Sequence, residues 1–167
     1  MTIASVTGGD IIDPVWGNSV ADAINELESG WVAYTPAWVA GLTVGSGSQS
    51  AEYRYLPGLS GLQFRGEFVF GAGSAISGIP RQTVPDSQSI RLIATAQYQI
   101  VGSVSVLDNS ATVVFTGVST IGPLPTDVLM FVISASSSHT ALANMGATIP
   151  MTWSTGDKLN WDVVVPL

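Results

Sequence analysis

The sequence has no cysteine and a single histidine, His139. Without thiols there are no disulfides, thiolate metal sites, thiol nucleophiles or Fe–S clusters. One imidazole cannot make a multi-histidine zinc site or an HExxH helix. Charge is also scarce. Charged residues are 10% of the 167, against roughly 25% in an average globular protein. Five basic residues face twelve acidic ones, for a net charge of −7 and a pI near 4.2. Lys158 is the only lysine, and Arg54, Arg65, Arg81 and Arg91 are scattered. Phosphate contacts need clustered cations, so nucleic-acid binding is not expected. Mean hydropathy is +0.40, yet no apolar run approaches the ~20 residues of a membrane span. The longest is Val128–Ile133. The opening MTIASVTGGD has neither a basic n-region nor an apolar h-region, so a signal peptide is not expected.

What is present is mostly strand-like. The expected class is mainly β, an antiparallel sandwich or jelly roll preceded by an extended arm and one short helix. Residues 1–13 read as the arm, and VWGNSVADAINELESG as the helix. Asn18 or Ser19 can cap its first turn, and Gly30 supplies a left-handed stop. Val20, Ile24 and Leu27 fall at i, i+4 and i+7, a narrow apolar stripe. About three turns of helix are marginal in water, so the stripe needs a partner. Two readings stay open: the helix lies on its own sheet, or it bundles with copies of itself at a symmetry axis. In the second, Val20, Ile24, Leu27 and Trp31 form an oligomer interface.

Residues 1–30 thus read as an anchoring and trimerisation segment, and 31–167 as one β domain. Strands are expected at Val32–Val39, Ser50–Leu56, Leu62–Phe70, Ser89–Ala96, Tyr98–Leu107, Ala111–Val118, Val128–Ala135 and Lys158–Val165. Turn signals separate them at Gly45–Ser48, Pro57-Gly58, Asp108-Asn109, Gly122-Pro123 and Thr155–Asp157. Many short strands at this spacing point to a sandwich or jelly roll.

Catalytic motifs are missing. The glycine stretches Gly45–Ser50 and Gly71–Gly78 fit neither G-x-S-x-G nor G-x-G-x-x-G, and Lys158 follows Asp157 rather than glycine, so no P-loop exists. Glycoside hydrolysis needs two carboxylates, and Glu52 and Glu67, on neighbouring expected strands, are placed to approach each other. Each is two residues from an arginine (Arg54 and Arg65), which fits cross-strand pairing on a solvent face better. Asp157 is a turn residue by type, and Asp10 and Asp13 match no calcium loop. No catalytic residue, cofactor or metal site is therefore expected. Phe64, Phe68, Phe70 and Trp161 read as core. Tyr53, Tyr55 and Trp153 stay open between core and a surface that stacks against sugar rings.

Taken in order, the residues resemble small virion proteins of tailed bacteriophages, especially those infecting Actinobacteria. The run Gly9-Asp10-Ile11-Ile12, Trp16-Gly17-Asn18 and Ala23-Ile24-Asn25-Glu26-Leu27 is similar to their N-terminal arm and helix. It leads into a "YTP" strand, here Trp31-Val32-Ala33-Tyr34-Thr35-Pro36-Ala37-Trp38. Ala51-Glu52-Tyr53-Arg54-Tyr55, Arg65-Gly66-Glu67-Phe68-Val69-Phe70-Gly71, Gly78-Ile79-Pro80 and Gly156-Asp157-x-Leu159 follow in the same order. After the Tyr-Arg-Tyr strand, Leu56-Pro57-Gly58-Leu59-Ser60 replaces the usual Gly-Asp turn. The resemblance implies a homotrimeric virion-surface sandwich, either a tail fibre or receptor-binding module contacting host cell-wall glycan, or a capsid decoration. Residues 1–13 would attach it to other virion proteins. The loops Gly71–Ser77, Gly122–Asp127 and Ser136–Asn144 would carry the sugar contacts.

Overall fold

The computed structural model describes residues 19–20, 30–56, 59–91, 99–122, 126–135 and 140–167. Its strands are β1 (Val32–Tyr34), β2 (Trp38–Thr43), β3 (Ser48–Leu56), β4 (Gly61–Val69), β5 (Ala75–Thr83), β6 (Gln99–Asp108), β7 (Val113–Ile121), β8 (Asp127–Ala135), β9 (Thr140–Asn144) and β10 (Lys158–Pro166). The chain is mainly β and antiparallel, as its alternating pattern implied. The strands form one hydrogen-bonded path, β1-β3-β4-β10-β6-β7-β8-β5-β2, and β9 pairs with β8. The far edge of β8 is shared: Asp127–Leu129 pair with β5, and Phe131–Ala135 with β9.

β1 and β2 occupy opposite ends of that path, yet only Thr35–Ala37 separate them in sequence. The sheet must therefore curl until its ends approach. Pro36 is buried at this corner, and its carbonyl accepts a bond from Gln49 Nε2 at 3.4 Å. The expected single strand Val32–Val39 is thus two strands, because proline removes a ladder donor where the chain leaves one half of the sheet for the other.

The β2–β3 and β4–β5 connections make the same crossing and lie against each other. Ser46 N donates to Ala72 O at 2.9 Å, and Ser74 Oγ to Val44 O at 2.5 Å. Glycine is required here. A Cβ on Gly45 would sit 2.4 Å from Gly73 C, and one on Gly71 would sit 2.5 Å from Ser46 O.

Alternation then builds the core. Leu62, Phe64, Phe68 and Phe70 point inward from β4 and its end, opposite Leu159, Trp161, Val163 and Val165 of β10. Val104, Val106, Val128, Met130 and Val132 fill the space between the halves of the sheet. Phe64, Phe68, Phe70 and Trp161 are buried, as their spacing required.

Two strands, β5 and β9, lie outside the expected set. β5 carries Gly78 and Pro80, which argue against a strand. It forms because β2 shifts register beside it: Gly41, at φ 76°, passes where a Cβ would lie 2.1 Å from Ile79 O. β9 takes up part of the loop expected at Ser136–Asn144. Conversely, Ser89–Arg91 of the expected strand Ser89–Ala96 are not in strand geometry, although Ile90 is buried and Arg91 N donates to Pro166 O. The rest of that segment lies outside the described residues. So do residues 1–18, with the arm, Asp10 and Asp13, and so do Ile24, Leu27, Pro57-Gly58 and His139. Ser19 and Val20 are helical.

Candidate functional site

The outer face of β3, β4, β10, β6 and β7 carries the polar side chains that alternate with the core. Two lines cross it in strict register. One runs Ser50, Glu67, Asn160, Ser105, Thr116, and its neighbour runs Glu52, Arg65, Asp162, Ser103, Val118. At about 4.8 Å per strand, each line spans roughly 19 Å.

The charges on this face are paired. Arg65 Nη2 lies 2.6 Å from Glu52 Oε1 with both side chains well exposed, and Lys158 Nζ lies 3.0 Å from Glu67 Oε2. The expectation of ordinary cross-strand pairing holds for Glu52. The partner of Glu67 is Lys158 of β10, a residue 91 positions away. Arg54 donates to Gln63 Oε1 at 2.7 Å, and Gln63 Nε2 to Asp162 Oδ1 at 3.0 Å, linking three strands. Exposed pairs of this kind add little stability, but they hold long side chains in place.

Trp31 stands beside this network. The guanidinium carbons of Arg65 and Arg54 lie 4.0 and 4.6 Å from its ring centroid, within cation–π range. The residue expected at an oligomer seam therefore packs on arginines of its own sheet. Val20, the other described member of that seam, is 36% exposed.

Between the tall paired side chains the face is hollow. A depression of about 490 Å³ lies over Ala33, Ser50, Glu52, Arg65 and Asn160. A second, of about 340 Å³, lies over Asn160, Ser103, Ser105 and Thr116. They share Asn160, Trp161 and Asp162 and so form one trough across the strands.

The three aromatics left open lie elsewhere. Tyr53 points inward from β3, half-buried, its ring 5.9 Å from that of Tyr34 and 6.0 Å from that of Tyr55. Tyr55 donates its hydroxyl to Asp86 Oδ2 at 2.5 Å, and this bond to a carboxylate pushes the phenol up to about 12. Burial pushes Tyr34 to about 12 as well. Trp153 is half-buried, stacked on Phe70 at 4.7 Å, with Nε1 donating to Gly146 O at 2.8 Å. The structure brings Tyr53 and Tyr55 together and leaves Trp153 with Phe70.

The remaining acidic side chains among the described residues are structural. Asp157 is fully buried and accepts from Asn109 N, Ser154 N and Ser154 Oγ. Asp127 is buried against Arg81 at 2.5 Å. Asp108 closes the β6–β7 turn through Ser110 and Ala111, and these bonds hold its carboxyl below the usual carboxylate value. Among the described residues, no three His, Cys, Asp or Glu side chains gather as metal ligands, and no helix is long and apolar enough to cross a membrane.

Comparison with protein families, curated proteins and solved structures finds no match. The likeness to phage virion proteins rests on the short sequence runs alone.

Sequence reasoning missed the trough. Its residues were legible as the outward set of alternating strands. Which strands stand side by side was not, because β10 enters between β4 and β6 from the far end of the chain.

Proposed function

We propose that this chain is a non-enzymatic structural protein of a bacteriophage virion. In this reading it is a homotrimeric, tail-associated fibre or receptor-binding module that contacts host-surface glycans. Residues 1–13 attach it to other virion proteins, and it needs no cofactor, nucleic acid or membrane. The observation that carries the reading is the state of the carboxylates. Glu52, Glu67, Asp127 and Asp157 are each committed to a cation or to backbone donors. A rigid sheet with a broad polar face serves contact better than turnover. Low charge and the i, i+4, i+7 spacing of Val20, Ile24 and Leu27 in the sequence support packing between copies.

The test is adsorption. Purified protein should elute as three copies by light scattering, bind host cells and block phage attachment. Chelator should leave its Tm unchanged. A monomeric parent, or a Tm that falls and is restored by calcium, overturns the reading.

A second reading is a capsid decoration that docks through the arm. It is favoured by the winding of all described strands into one body without a repeating shaft. Failure to bind cells would select it, provided the full protein coats emptied capsids and a form lacking residues 1–13 does not.

A further inference from the structure

The geometry points to the outer-face trough as a binding site for an extended, uncharged glycan strand, lying across β3, β4, β10, β6 and β7. This rests on the receptor-contact reading above but moves the contact from the loops and from Tyr53, Tyr55 and Trp153 to the sheet face.

The line through Asn160 is the core of the argument. Ser50, Asn160, Ser105 and Thr116 make no side-chain hydrogen bond to another described residue, whereas the charged groups flanking them are paired. Hydroxyls and a primary amide each donate and accept, as sugar hydroxyls do. They stand in register at strand spacing, so a linear polymer laid along them meets a free hydrogen-bonding group at four of the five strands, with the paired Glu67 on β4 between Ser50 and Asn160. The flanking residues are long and mutually braced, so little side-chain freedom remains to be lost on binding.

Charge selects the polymer. Of the charged residues that line the trough, Glu52, Glu67 and Asp162 outnumber Arg65, and an acidic polysaccharide would meet net negative charge. The outward side chains along both lines are polar except Val118, whereas a protein partner would need apolar anchors at the centre of its interface. Trp31 stacks on Arg65, a lining residue of the trough, and on Arg54 beside it.

The test uses the full chain and a panel of neutral linear oligosaccharides of several hexose or pentose units, with a uronic-acid oligomer as comparison. Binding is read by amide chemical-shift changes. Neutral oligomers should shift residues of β10 and β6, and the uronic-acid oligomer should not. Ser105→Trp fills the trough and Asn160→Ala removes its central amide. Each should weaken binding at least about tenfold, the loss of one or two good hydrogen bonds, with an unchanged circular dichroism spectrum. Tyr55→Phe, outside the trough, should bind normally. Shifts confined to other surfaces, or equal affinity in the filled variant, overturn the proposal. If Ser105→Trp lowers the number of copies, the face is an interface between copies and the proposal also falls. Cell adsorption separates the two readings. If cells bind parent and Ser105→Trp alike, the trough is wrong and receptor contact stands. If neither cells nor oligosaccharides bind, both fall.

Discussion

Trp38 and Trp161 meet edge to face, ring centroids 5.4 Å apart and planes at 85°. One comes from the last strand of the sheet path and the other from its middle, so the contact spans the curled interior. Trp38 also touches Phe68 and donates Nε1 to Gln49 Oε1 at 3.1 Å, which ties β2 to β3 where no ladder joins them. Trp38→Ala should cost about 3 kcal/mol through lost burial. A double-mutant cycle with Trp161→Leu should return a coupling of about 1 kcal/mol, the worth of an aromatic pair beyond its area. Urea titration measures both. Additivity of the two losses would show that the rings do not hold the sheet closed.

Beneath Trp161 lies Gly66, whose missing side chain makes the indole's room. A Cβ there would sit 2.4 Å from Trp161 Cζ2 and 2.7 Å from Ala51 Cβ. Neither neighbour can retreat, because Trp161 is 3% exposed and Ala51 faces the same layer. Gly66→Ala should therefore destabilise by about 1–3 kcal/mol, as overpacking does. Trp161→Phe in the same chain should restore part of the loss, since the smaller ring vacates the contested volume. A Gly66→Ala protein as stable as the parent in urea would mean that the layer gives way easily.

Gly66 also shows how far the sequence could be read. Its place in Leu62, Phe64, Gly66, Phe68, Phe70 marked it as inward-facing, and the period-2 pattern of β4 and β10 located most of the core. What faces Gly66 was not legible, because Trp161 reaches it from 95 residues downstream by a pairing that no local signal encodes. The same holds for the trough. Asn160 and Ser105 are ordinary polar positions of their own strands, and become neighbours only because β10 inserts beside β6. β5 was hidden for a different reason: Pro80 violates strand propensity, and the bulge at Gly41 on the partner strand accommodates it.

Asp157 anchors the turn that launches β10. Its carboxylate accepts Asn109 N at 3.0 Å and Ser154 N at 2.6 Å, joining the β6–β7 turn to the β10 entry. Asp157→Ala leaves two backbone donors without their partner, at about 2–4 kcal/mol in total. Asp157→Asn keeps one acceptor oxygen and should lose less than half of that. Thermal melts of the two variants provide the check, and equal losses would point to charge rather than acceptor count as the cause.

Alkaline pH should unfold the protein through its phenols. Tyr34 and Tyr55 are both pushed from 10.0 to about 12, the first chiefly by burial and the second chiefly by its bond to Asp86. Raised values mean that the folded chain keeps two protons that the unfolded chain releases above pH 10. Stability then falls with pH, since the unfolded state binds fewer protons. The contribution is whole below about pH 10 and is lost as pH rises through about 12. Urea stability measured from pH 8 to pH 12 should therefore drop steeply above 10 in the parent. In the Tyr34→Phe, Tyr55→Phe double variant the drop should be shallower, although the variant starts lower at pH 8 because Gln82 Nε2 loses its bond to the Tyr34 hydroxyl. The single Tyr55→Phe variant should fall between the two. Parallel curves for parent and double variant over that window would show that neither phenol holds its proton through the fold.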